Sequence, residues 1–163
     1  MAPTLPPPPV EGPLLVAYSG GLDSTVLLHL LAADPAIRAR GLRALHVDHG
    51  LHPQSAAWGE ACAANCRALG LPFDIIRVSV RPDGDGPEAA ARRARHAAFA
   101  AALRPGELLA TAHHRDDQAE TVLLRLLRGA GDGLAAMRPL RPFAAGWLWR
   151  PLLAFPREAL AAY

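Results

Sequence analysis

The chain of 163 residues is 51% hydrophobic and 20% charged, with a formal net charge of +2. That length suits one core of ordinary size, and no apolar run approaches the roughly 18 residues a membrane span needs, so the expectation is one globular domain without membrane contact. All 17 basic side chains are Arg, which removes a phosphate-loop lysine, a kinase-type lysine and a Schiff-base lysine from the candidate chemistries.

Residues 1–13 are proline-rich, and Pro7, Pro8 and Pro9 cannot donate ladder hydrogen bonds, so this segment is expected to be disordered. It has no apolar signal core, which points to a cytoplasmic protein. From Leu14 the chain alternates short apolar runs with helical patterns. Leu14 to Tyr18 reads as a buried strand, and Ser24 to Ala33 as a helix carrying Val26, Leu27, Leu30 and Leu31. The same pairing recurs as Leu42 to Val47 with Ser55 to Leu69, Phe73 to Val80 with Pro87 to Leu103, and Leu108 to Thr111 with Asp116 to Arg128. Four strand and helix pairs predict an α/β domain over residues 14–163, a doubly wound parallel sheet with helices on both faces. Such sheets bind ligands beyond the carboxyl ends of their strands, here the loops starting at Ser19, Asp48, Arg81 and Ala112.

Cys62 and Cys66 lie four apart on one helix face, without a CxxC or metal-ligand spacing, and are expected to be reduced core thiols. After Arg128 the helical pattern gives way to Gly129, Gly131 and Gly133, then Pro139 and Pro142. Trp147 to Tyr163 reads as a short strand and the start of a helix at Pro156 or Arg157 that is not completed, as in a piece of a longer protein.

Chemistry concentrates in three loops. In the first, Ser19, Gly20, Gly21, Leu22, Asp23 and Ser24 turn a buried strand into a helix, so backbone N–H groups converge on the positive end of the helix dipole. Two glycines let the backbone approach a phosphate, the serines add hydroxyl donors, and Asp23 can orient the turn or reach a metal. The plainer reading is a glycine turn with a Ser or Asp cap. The second loop, His46 to Pro53, ends the second strand. A zinc site from His46, Asp48, His49 and His52 is disfavoured, because strand alternation sends neighbours to opposite faces. The third runs from Thr111 to Thr121. At 100° per residue Asp116, Glu120 and Asp117 form one acidic arc behind His113 and His114, suited to magnesium and an ammonium group. Acids there also complement the helix dipole. Ala119, Val122, Leu123, Leu126 and Leu127 form the expected buried stripe of this helix.

The first loop resembles the pyrophosphate loop of the N-type ATP pyrophosphatases, which include GMP and asparagine synthetases, tRNA thiolation enzymes and tRNA(Ile)-lysidine synthetases. His46-Val47-Asp48-His49-Gly50-Leu51-His52-Pro53 and the segment from Thr111 to Thr121 look like the signatures of the last group, although Arg115 stands at a usually apolar position. Glu88, Arg92, Arg95 and Phe99 resemble its arginine-bearing helix, with His96 for the usual Tyr. Arg128 to Leu134 and Arg150-Pro151-Leu152-Leu153 also resemble it, the glycine stretch being one residue short and without the usual basic residue.

The resemblance implies an adenine nucleotide alpha hydrolase-like, Rossmann-like PP-loop fold that cleaves ATP between its α and β phosphates. It implies adenylation of the C2 oxygen of the wobble cytidine of a tRNA(Ile) with a CAU anticodon, then attack by free L-lysine with release of AMP. ATP would be bound by Ser19, Gly20, Gly21, Leu22, Asp23, Ser24, Val47 and His113, and Mg2+ by Asp23 and Asp116. Lysine would be bound by Arg92, Asp117 and Glu120, with Asp23, Asp116 and Asp117 as the catalytic acids. The family's C-terminal tRNA-binding domains would lie outside these residues, and a homodimer is compatible with the resemblance. Competing readings are cytidine thiolation, which calls for CxxC cysteines, and an ATP-binding fragment without catalysis.

Overall fold

The computed structural model describes residues 2–128 and 136–163. The glycine stretch at 129, 131 and 133 lies outside the described residues. Among the described residues six strands form one sheet in the order β3-β2-β1-β4-β6-β5. They are β1 (Leu14–Ala17), β2 (Leu42–Asp48), β3 (Phe73–Arg77), β4 (Leu108–Ala110), β5 (Leu140–Phe143) and β6 (Gly146–Trp149). All pairings are parallel except β5 with β6. The described helices are α1 (Leu22–Ala32), α2 (Pro35–Ala39), α3 (Ser55–Ala68), α4 (Pro87–Ala102), α5 (Arg115–Leu127) and α6 (Arg157–Ala162).

Strand alternation divides the core in two. Leu14 and Val16 point to one face and pack with Val26, Leu27 and Leu31 of α1, Cys62 and Cys66 of α3 and Leu160 of α6. Leu15 and Ala17 point to the other and meet Leu45, Leu109, Leu148 and, from α4, Phe99. Both cysteines are free and buried, and burial with Cys62 alongside pushes the Cys66 thiol up to about 11. Among the described residues no helix is long and apolar enough to cross a membrane.

The structure departs from the sequence reading at four places. The proline-rich N-terminus makes contacts the sequence did not suggest: Leu5 and Val10 pack against the core, and the Arg40 guanidinium donates to the carbonyls of Val10 and Gly12. Prolines cannot pair in a ladder, so side-chain donors hold this segment. α2 was not expected, yet Asp34 caps it by accepting from Ala36 N at 2.8 Å and Pro35 occupies its first turn. β5 was also not expected, and it accommodates Pro142 because it is an edge strand. On α5 no residue is buried: Leu123, Leu126 and Leu127 are 56%, 55% and 75% exposed. A helical apolar stripe reports that a face needs a partner, not that the sheet supplies it.

At the amino end of the sheet Glu107 is fully buried and accepts from Arg43 Nε and Nη2, both at 2.8 Å, and from Arg104 N at 2.9 Å. The same residue's carbonyl excludes any side chain from Gly146, whose Cβ would stand 2.0 Å from it. Removing one member of a buried pair strands the other charge. Glu107→Ala is therefore expected to lower stability by about 3 to 5 kcal/mol, read from urea unfolding midpoints, with Glu107→Gln losing less.

Candidate active site

β1 and β4 are adjacent and parallel, but the chain leaves them toward opposite edges, to β2 and toward β6. That divergence opens a crevice at their carboxyl ends, where ligands enter doubly wound sheets. Two loops meet there. The first follows β1, with Gly20 at φ +86° and Gly21 at the α1 N-cap. Ser19 and Ser24 hydroxyls bond at 3.0 Å, and Ser24 Oγ donates to the Gly21 carbonyl at 3.3 Å. No side chain caps α1, so its first-turn N–H groups remain available to an anion. Leu22 is exposed beside them.

The second loop brings His114 to Asp23 from 91 residues away. A carboxylate only accepts, so His114 Nε2 carries the hydrogen and donates to Asp23 Oδ2 at 3.2 Å. The same nitrogen lies 3.5 Å from Asp117 Oδ2, which also accepts from the His114 backbone N at 2.8 Å and so closes the start of α5. His114 is thus the link between Asp23 and Asp117. The sequence reading named it without giving it a role. The pairing His-His before acids was visible, but which ring faces the first loop depends on the strand's register.

Three buried side-chain polar atoms have no hydrogen-bond partner among the described residues: Asp23 Oδ1, His114 Nδ1 and Arg150 Nε. All belong to residues at the carboxyl edge of the sheet. An orphaned carboxylate oxygen beside a phosphate loop suits Mg2+, which needs only one or two protein carboxylates when phosphate and water complete its shell. Asp116, expected to share that ion, is exposed on the first turn of α5. Among the described residues no group of three or more His, Cys, Asp or Glu side chains is arranged to hold a metal.

Two cavities flank the crevice. One, of about 400 Å³, lies over β1 and β2 and is lined by Tyr18, Ser19, Val47, Asp48, His49 and Trp58 among others. Val47 is there as expected. His46 is buried and bonds Tyr18 O at 2.9 Å, a structural role. His52 stacks on Trp58 with centroids 4.8 Å apart. The other cavity, of about 460 Å³, lies over β4 and β6 and gathers Arg92, His113, Asp117 and Glu120 with Arg141 and Arg150. Arg95 and Phe99 line both cavities, the Arg95 guanidinium resting 5.7 Å from the Phe99 ring centre. The expected lysine set is therefore together, while His113, expected beside ATP, lines this second cavity. Asp116 lines neither. Arg141 carried no expectation, because an antiparallel edge hairpin was not legible, and Arg150 was noted only within a segment resembling the family, without a role.

His113 Nδ1 and Thr111 Oγ1 are hydrogen-bonded at 2.9 Å. Burial first, and then Arg150, push the His113 imidazole down to about 4 from 6.5. Burial and then Arg141 lower Arg150 below the usual guanidinium range.

A family of PP-loop domains matches residues 5–163, and the chain belongs to that family. It is 64% identical over 163 residues to a tRNA(Ile)-lysidine synthase of Xanthomonas axonopodis pv. citri (strain 306), a match covering 99% of this chain and 37% of that protein. A tRNA(Ile)-lysidine synthase of Xylella fastidiosa (strain 9a5c) is 59% identical over 162 residues, with the same coverage. The chain thus spans little more than a third of these relatives' length. Among solved structures, the U34-tRNA thiolase NcsA from Methanococcus maripaludis with its 4Fe-4S cluster superposes with a TM-score of 0.70 at 19% identity, over 93% of this chain and 56% of that one. That likeness supports the fold alone.

Two outcomes are expected. Gly20→Ala puts a Cβ 2.8 Å from Cys62 Sγ at a left-handed φ, which should weaken ATP binding at least about tenfold in calorimetry, with Cys62→Ala restoring only the steric part. His113 resists protonation that the unfolded chain accepts, so its contribution is full above pH 6.5 and lost as pH falls toward about 4. His113→Gln should flatten stability across that window by about 1 to 3 kcal/mol, measured as the difference between the two denaturation profiles.

Proposed function

We propose that this chain is the ATP-using catalytic domain of a tRNA(Ile)-lysidine synthase, a cytoplasmic ATP-dependent carbon-nitrogen ligase. One observation carries the reading: the His114 bond to Asp23 joins the phosphate loop to the acidic helix, with one cavity on each side meeting at Arg95 and Phe99. The names of the relatives, at 59 to 64% identity, support the same reaction. Family membership supports ATP as a substrate.

In this reading adenosine occupies the cavity over β1 and β2, with Val47 at its wall and the phosphates over Ser19 to Ser24. The wobble cytidine of the CAU anticodon and free L-lysine enter the cavity over β4 and β6. The cytidine C2 oxygen bonds to the α phosphorus while the bond to the β phosphate breaks and pyrophosphate leaves. A lysine amine then bonds to C2, the C2–O bond breaks, AMP leaves and the nitrogen loses a proton. The first step turns a poor leaving group into a good one, and the protein contributes position and charge.

Asp23, through Oδ1, would hold Mg2+, with Asp116 on the exposed first turn of α5 as its second carboxylate, and the ion would neutralise charge on the α and β phosphates. His114 fixes the rotamer of Asp23 and ties it to Asp117. Asp117 and Glu120 attract the ammonium groups of lysine, and Arg92 its carboxylate. Cytidine thiolation is disfavoured because Cys62 and Cys66 are buried behind the loop at a spacing of four. The binding of tRNA by segments beyond this chain, and assembly as a homodimer, belong to the same proposal.

The test is AMP release from labelled ATP in the presence of tRNA(Ile) and lysine. Asp23→Asn and Asp117→Asn are each expected to lower the rate at least a hundredfold without unfolding the chain, and Asp116→Asn to raise the Mg2+ requirement. Glu120→Gln and Arg92→Ala should raise the KM for lysine about tenfold or more while leaving the KM for ATP near its starting value. AMP release that did not depend on lysine, or unimpaired release by the folded Asp23 variant, would overturn the assignment.

A further inference from the structure

The cavity over β4 and β6 has a charge problem that the proposed reaction does not resolve. Four guanidiniums line it, those of Arg92, Arg95, Arg141 and Arg150, against two carboxylates, Asp117 and Glu120. Among the described residues none of the four arginines forms an ion pair. Free lysine carries two ammonium groups and one carboxylate, so its entry adds positive charge to an already positive site. Like charges held together in a partly dry cavity cost free energy until an anion joins them. That anion must come with another substrate. The pyrophosphate loop, where the ATP phosphates would sit, does not line this cavity.

Within the four, Arg141 and Arg150 form a separate pair. Both come from the β5 and β6 hairpin, on the side of the cavity remote from the adenosine site. Their positions are fixed without using up their charge. The Arg141 guanidinium lies 5.4 Å from the Phe143 ring centre, and Arg150 Nη1 donates to the Arg138 carbonyl at 2.8 Å. Arg150 Nε is buried and has no partner among the described residues. A planar fork with an unused donor, beside a second guanidinium, matches the spread oxygens of a phosphodiester.

We infer that Arg141 and Arg150 form a phosphodiester subsite that grips the RNA backbone next to the nucleotide entering the cavity. The inference rests on the tRNA reading above. It assigns the carboxyl end of the β5 and β6 hairpin to backbone contact, which positions the base without reading its sequence. Arg92, on α4 across the cavity, is then left for the lysine carboxylate.

The test titrates this chain with a synthetic CAU anticodon stem-loop RNA at several potassium chloride concentrations, and measures lysine KM by AMP release in parallel. Arg141→Gln and Arg150→Gln are each expected to weaken RNA binding about tenfold and to reduce the log-log salt slope by about 1, without raising lysine KM and with ATP affinity unchanged. Arg150→Lys keeps the charge, so it should retain the slope while losing part of the affinity, which separates charge from loss of fold. An unchanged salt slope in both glutamine variants would overturn the subsite. A rise in lysine KM with an unchanged slope would assign the pair to the amino acid carboxylate instead and would equally overturn it. AMP release that does not depend on the RNA would remove the tRNA reading itself, whereas RNA-dependent release with equal salt slopes removes only the subsite.

Discussion

Parallel pairing of β1 with β4 at the centre of the sheet places two loops side by side that are almost a hundred residues apart in sequence. With Val16 opposite Ala110, the chain reaches Ser19 on one strand and His113 on the next within three residues of the paired segment. The hydrogen bond from His114 to Asp23 can form only in that register. A shift by one residue would turn the His114 side chain to the other face of the sheet and separate the phosphate loop from the acidic helix. The core on both sides enforces the register, because Leu14 and Val16 belong to one cluster and Leu15 and Ala17 to the other. Buried leucines thus fix the position of the polar groups at the strand ends.

Much of this was legible in the sequence because the signals were local. A strand, two glycines and a helix point to an anion-binding turn, and the alternation of apolar runs with helical patterns predicts a parallel sheet. What was missed follows from the same locality. α2 had its cap and proline in plain view at Asp34 and Pro35, but five residues show no period. β5 contains a proline, which reads as a breaker until one knows the strand lies at the edge, where a missing donor costs nothing. The N-terminal prolines suggested disorder, while the bonds that hold them come from Arg40, some 30 residues on. The apolar stripe of α5 was expected to be buried, and its leucines are exposed instead.

Site residues divide in the same way. The acids of α5 were identified from their arc, yet their roles depend on what stands opposite. Asp117 turns back to His114 and the helix start, Glu120 faces the cavity over β4 and β6, and Asp116 faces solvent. Helical angle placed them on a common side and could not distinguish the three. The second cavity owes two of its four arginines to a hairpin that local patterning did not reveal. Its excess of positive charge was therefore absent from the sequence reading, which considered lysine recognition alone.

Stability and function occupy opposite ends of the sheet. At the amino end, the Glu107 carboxylate is satisfied by Arg43 and Arg104, and Gly146 allows the backbone to close against it. At the carboxyl end stand Asp23 Oδ1, His114 Nδ1 and Arg150 Nε, buried and without partners among the described residues. Each such group costs on the order of 1 to 3 kcal/mol of desolvation if nothing replaces the lost water. The fold tolerates that cost at only one end, and there the three groups have the chemistry of the proposed ligands: a carboxylate oxygen for a cation, an imidazole nitrogen at the junction, and a guanidinium donor for a phosphate. Substrates that complete those bonds would stabilise the folded chain as they bind, so the same orphaned atoms that weaken the free domain would supply its differential affinity for ATP and RNA.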